Sequence, residues 1–112
     1  KTLVWGEVQD GRHPIPDDLR GRFFGSPALY PDLAIGIPGE YFVAIEAGAG
    51  ERASDLLNEL RKAALHTLMG KFDRCVLVYL RLGRFASLDP TPEDRLWLQW
   101  FEAFFRVTTV LL

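Results

Sequence analysis

The sequence predicts an α+β, mostly helical fold: three longer helices, one short helix and a small two-stranded antiparallel ribbon, in a single domain spanning residues 1–112. Three observations predict it. From Glu51 to Met69 the apolar side chains recur at spacings of three and four, the mark of a helix with one buried face. From Pro92 to Leu112 the chain opens on a helix-start signal and stays apolar almost throughout. Only Leu3 to Val8 and Tyr41 to Glu46 have the aromatic and β-branched composition of strands and they suit a ribbon packed on helices.

Composition bounds the function. With 48% hydrophobic and 25% charged residues, the chain has a folded rather than a disordered balance. Thirteen basic and fifteen acidic residues give a formal charge of −2, and no Lys/Arg cluster exceeds two residues. That speaks against a nucleic-acid module, which normally carries a basic excess or patch. The chain begins at Lys1, which implies that a few residues were trimmed. One cysteine, no signal-like start and no apolar run of eighteen residues predict a soluble cytoplasmic chain without a membrane span.

The elements follow in order. Asp10-Gly11 is a turn signal after the first strand. Pro14 and Pro16 keep the next residues irregular. Pro16 then opens a short helix through Leu19 and Phe23, with Asp17 and Asp18 at its positive end. Residues 26–40 hold three prolines and two glycines and are read as a long loop anchored by Leu29, Tyr30, Leu33, Ile35 and Ile37. Tyr41 to Glu46 pairs with the first strand. Gly48-Ala49-Gly50 is a flexible turn into the long helix, whose Glu59 and Lys62 pair on the solvated side before Gly70 closes it. Residues 71–82 suit a buried strand by composition and a helix by their flanks. Twelve residues ending on Gly83 favour helix. Thr91 caps the last helix, Pro92 takes its first position, and Glu93 and Asp94 complement its dipole.

No chemistry-bearing pattern emerges. Gly48-Ala49-Gly50 lacks the third glycine and the lysine of a phosphate loop. His13 and His66 have no partner at zinc-ligand spacing. Asp17 and Asp18 are explained by the helix start. Ser26, Ser54 and Ser87 lie outside a nucleophile elbow. Cys75 sits in the apolar run Cys75-Val76-Leu77-Val78 and is read as a buried reduced thiol. The expectation is therefore no catalytic residue, no cofactor and no metal.

The closing stretch points to binding instead. Of eight phenylalanines and three tryptophans, six lie after residue 84. Its polar stripe is narrow: Arg95, Gln99, Glu102 and Arg106, then Thr109. A helix faces one core in one direction, so Trp97, Trp100, Phe101, Phe104 and Phe105 are expected to form a protein interface, within a homodimer or against a partner. The loop from Phe23 to Ile37 is a second candidate edge. A toxin-neutralising immunity protein and a small-ligand or enzymatic domain are the alternatives. The latter needs a polar pocket near His13, Asp17, Asp18 or His66.

Tyr41-Phe-Val-Ala-Ile-Glu-Ala-Gly, continuing into Ala53-Ser54-Asp55-Leu56-Leu57, resembles small pseudomonad proteins with a strand–glycine–helix core. In size and aromatic final helix the chain resembles the LasR-specific quorum-sensing anti-activators of pseudomonads. The resemblance implies a non-enzymatic homodimer that binds the ligand-binding domain of a LuxR-type transcription factor and blocks that factor's dimerisation.

Overall fold

A computed structural model describes residues 2–6, 14–25 and 29–112. The strands are β1 (Leu3–Trp5), β2 (Leu33–Ile37), β3 (Tyr41–Gly50), β4 (Arg74–Arg81) and β5 (Val107–Leu111). The helices are α1 (Ala53–Leu68) and α2 (Pro92–Phe105), with 3-10 turns at Asp17–Leu19 and Gly83–Ser87. All five strands form one sheet in the order β1-β2-β3-β4-β5. The pairs β1–β2 and β2–β3 are antiparallel; β3–β4 and β4–β5 are parallel, joined by α1 and α2.

This corrects the mostly helical expectation at four places. Residues 71–82 hold a strand, β4, not a helix. Cys75, Leu77 and Tyr79 are wholly buried while Val76 and Val78 alternate as half-buried. A strand inside a parallel sheet reads as a nearly continuous apolar run, and that burial overrides the helix-like flanks. The long loop contains β2, which separates β1 from β3, so no isolated ribbon exists. Gly48-Ala49-Gly50 belongs to β3 rather than to a turn. There a Cβ on Gly50 would meet Tyr79 Oη and Asp55, so glycine lets α1's first turn close onto β4. Finally, the last helix stops at Phe105. Arg106 takes a left-handed conformation (φ 56°, ψ 39°) and turns the chain into β5. The β-branched run Val107-Thr108-Thr109-Val110 suits a strand.

Several expectations hold. The long helix spans Ala53–Leu68. Thr91 caps α2 with Asp94 and Pro92 opens it, while Lys62 pairs with Glu59 at 3.5 Å. The expected short helix reduces to the turn Asp17–Leu19, leaving Phe23 and Phe24 exposed. Asp10, Gly11, His13 and Ser26 lie outside the described residues.

Parallel crossovers are right-handed, and two in succession place α1 and α2 side by side on one face of the sheet, where they touch. The core lies between: Ala34, Ala44, Leu77, Tyr79 and Val107 below, Leu60, Ala63, Ala64 and Phe101 above. Burying a side chain such as Leu77 contributes about 2–3 kcal/mol. The helices' C-terminal ends are tied together. Thr67 Oγ1 donates to the Phe105 carbonyl at 2.5 Å, and Arg106 Nη2 to the Thr67 carbonyl at 3.0 Å. Among the described residues no helix is long and apolar enough to cross a membrane.

Candidate functional site

Helical phase decides where the five aromatic residues of α2 go. Phe101 points into the core and Phe105 lies half-buried against it, edge to face, with centroids 5.4 Å apart. Trp97, Trp100 and Phe104 remain 51%, 42% and 70% exposed. Spaced by three and four, they form one stripe along the helix, and the two indoles stack edge to face at 5.2 Å. Three of the five expected interface residues therefore share an open surface; two are core.

Trp97 marks which way that stripe faces. It lines a groove of about 900 Å³ together with Leu57 and Arg61 of α1, so the aromatic flank of α2 looks toward α1. The groove floor is Leu60, Phe101 and Leu111; its outer wall is Phe85 and Leu88 from the segment after β4. It opens at the carboxyl ends of the parallel strands, where sheets of this kind bind their ligands. On α1, Leu57 lines the groove at 37% exposure. At the rim, the Arg81 guanidinium lies over the Phe85 ring and donates through Nη1 to the Leu88 carbonyl at 2.6 Å. Its Nε is buried without a partner among the described residues.

A second cluster was not legible as such. His66, read from sequence as a boundary residue, is buried with Glu46 of β3, Nε2 to Oε1 at 2.9 Å. Its Nδ1 has no partner in the described structure. Asp32, one residue before β2, stands opposite Glu46 by extension of the β2–β3 register and accepts the Ala47 N–H at 2.7 Å. Cys75 lies on the same face one strand further. Burial, then the Glu46 and Asp32 carboxylates, push its thiol up to about 12. The thiol is therefore a neutral core group and no nucleophile at neutral pH. The signal for this cluster was the polar residue in the otherwise apolar β3, Glu46, with His66 on the flank of α1 nearest β3.

The other candidates scatter. Asp17 and Asp18 sit in the first 3-10 turn, with Asp17 paired to Arg20. The loop after Phe23 contributes β2 to the sheet rather than a free edge. No group of three or more metal-ligating side chains occurs among the described residues. No family model matches the chain, and no curated protein and no solved structure matches it.

Proposed function

We propose that this chain is a non-enzymatic protein-binding domain whose docking surface is the trough between α1 and α2. One observation carries it: Trp97, Trp100 and Phe104 lie exposed in a single stripe beside an apolar groove. Rings of this kind bury roughly 150–250 Å² each when covered, and their present exposure leaves on the order of 350 Å² of ring surface to gain. That equals roughly 9 kcal/mol of gross driving force, before the cost of association. The trough fits an amphipathic helix laid along it, with anchors at helical spacing. The LuxR-type regulator implied by the resemblance would be held this way through the face it uses for its own dimerisation. We place the action in the cytoplasm, where Cys75 stays reduced.

The test is comparative capture followed by calorimetry. A partner held by the wild type should lose tenfold or more in affinity with Trp97→Ala, Trp100→Ala or Phe104→Ala, the hot-spot range of about 2 kcal/mol. Helix content should not change, because these rings are outside the core. Equal affinity of the triple variant would remove the trough from the binding surface.

A second reading follows from Asp32 and Glu46. Two carboxylates from neighbouring strands can hold Mg²⁺ when waters and a substrate phosphate complete its shell. His66 engages one Glu46 oxygen, Oε1, and the Ala47 N–H engages Asp32 Oδ2, so a cation would use the remaining oxygen of each carboxylate. A rise in melting temperature with millimolar Mg²⁺ or Mn²⁺, abolished in Asp32→Asn, would favour this reading; no shift would dismiss it.

A further inference from the structure

We infer that the free edge of β5 pairs antiparallel with β5 of a second copy, joining the two sheets into one of ten strands about a two-fold axis through Thr109. This surface is separate from the trough and independent of it.

The backbone supplies the first argument. Cys75 N–H donates to the Arg106 carbonyl, Leu112 N–H to the Tyr79 carbonyl, and Arg81 N–H to the Leu112 carbonyl. Even-numbered residues of this segment thus turn their amides toward β4. Val107, Thr109 and Leu111 turn theirs outward, and no described segment pairs with them. Proteins guard such edges with charge, proline, a bulge or short length. The opposite edge, β1, has three residues. β5 has five, Val-Thr-Thr-Val-Leu, with neither charge nor proline. Centred on Thr109, the antiparallel register sets Val107 opposite Leu111 of the copy, and vice versa. All three outward residues then bond in both directions.

The side chains agree with that axis. Thr109 Oγ1 is shielded by its own chain and has no hydrogen-bond partner among the described residues. Across the axis the residue opposite it is Thr109 of the copy, a threonine–threonine pair of the kind favoured across strands. On α2, Arg95 and Glu102 lie two turns apart on the flank opposite Trp97 and Trp100, hence toward the β5 edge. Neither has an ion-pair partner among the described residues. Thr109 lies three residues past the Arg106 corner, about 10 Å along a strand. The same distance back along a helix covers between six and seven residues, which reaches Gln99. The midpoint of Arg95 and Glu102 falls between Leu98 and Gln99, within one residue. A two-fold through Thr109 therefore brings Arg95 to Glu102 of the copy, twice over. A surface that is its own electrostatic complement identifies the occupant as the same chain.

Molar mass by light scattering across 1–200 µM, on the whole chain, tests this. The wild type should be a dimer. Arg95→Glu alone, or Glu102→Arg alone, should raise the dissociation constant tenfold or more by placing like charges together at both pairs. The double swap Arg95→Glu/Glu102→Arg should restore it to within about threefold, which no folding defect would do. Thr109→Pro removes an outward N–H that β4 does not use and should give a folded monomer. The triple alanine variant of Trp97, Trp100 and Phe104 should remain dimeric. A monomeric wild type at 200 µM overturns the pairing, as does a swap that fails to restore it. A dimer lost in the triple variant but indifferent to charge reversal would place association in the trough, overturning the β5 interface while leaving the trough as a binding surface.

Discussion

Removing the Glu46 carboxylate should be a damaging single change on the face of the sheet that carries the helices. Glu46 is 8% exposed and His66 3%, and their 2.9 Å contact is the ring's single hydrogen bond in the described structure. Nδ1 already lacks a partner among the described residues. Glu46→Ala would leave both ring nitrogens unpartnered and open a void beside Leu77, its neighbour across the β3–β4 pair. A hydrogen bond to a charged group contributes about 1.5–3 kcal/mol, and orphaning the buried ring adds to that, so the expected loss is about 3 kcal/mol. For a domain of this size that lowers the melting temperature by roughly 10–20 °C. Glu46→Gln keeps the shape and one acceptor and should cost about 1 kcal/mol. Replacing both partners, Glu46→Leu with His66→Leu, should recover most of the loss, since an apolar pair leaves nothing unsatisfied. Urea unfolding with an unchanged denaturant slope provides the measurement. If Glu46→Ala costs no more than Glu46→Gln, water solvates the ring and the pair does not hold α1 to β3.

Two further outcomes follow from the same packing. The Cys75 thiol ionises near 9.0 in the unfolded chain and near 12 in the fold, so the unfolded state releases its proton first. The fold should lose stability as pH rises through that window, by up to about 4 kcal/mol at the top; Cys75→Ala should flatten the decline, and an equal slope in both proteins would refute the assignment. At the start of α2, Thr91 Oγ1 accepts the Asp94 N–H at 3.1 Å and Asp94 accepts the Thr91 N–H at 2.8 Å. Thr91→Ala should cost about 1 kcal/mol, and a loss under about 0.3 kcal/mol in urea melts would show the cap to be frayed.

What could be read in the sequence was local. The Thr91-Pro92 start and the spacing of α1 are set within a few residues, and both held. What could not be read was pairing. β4 is a strand because Ala44 and Val107 flank Cys75 on either side, and nothing within residues 71–82 records that. Its closing glycine, taken as a helix stop, opens the 3-10 turn that carries Phe85 to the groove. β2 was hidden by prolines on either side, Pro31 and Pro38, which bound the strand rather than exclude one. β5 was hidden by continuity: Phe104 to Leu112 is apolar enough to pass for more helix, and only four β-branched residues in a row argue otherwise. The candidate site shows the same split. The excess of aromatic surface on α2 was legible from composition, but its direction depends on α1, so Phe101 and Phe105 could not be told from their exposed neighbours.

Shortening the last helix changes what its surface means. A helix through Leu112 would have carried apolar groups around most of its circumference and offered no clear way to separate two partners. Ending at Phe105, α2 has two distinct flanks. The α1-facing one is mainly aromatic, with charges at the groove rim such as Arg61, Arg81 and Asp94; the β5-facing one carries Arg95 and Glu102, one of each sign, two turns apart beside a strand edge without protection. Exposed aromatic rings discriminate little between the proteins that cover them, whereas paired opposite charges around an axis discriminate in favour of self. The two flanks can therefore be occupied at once. A dimer built through β5 would present two troughs facing away from its axis, and a partner with two equivalent segments would gain from binding both.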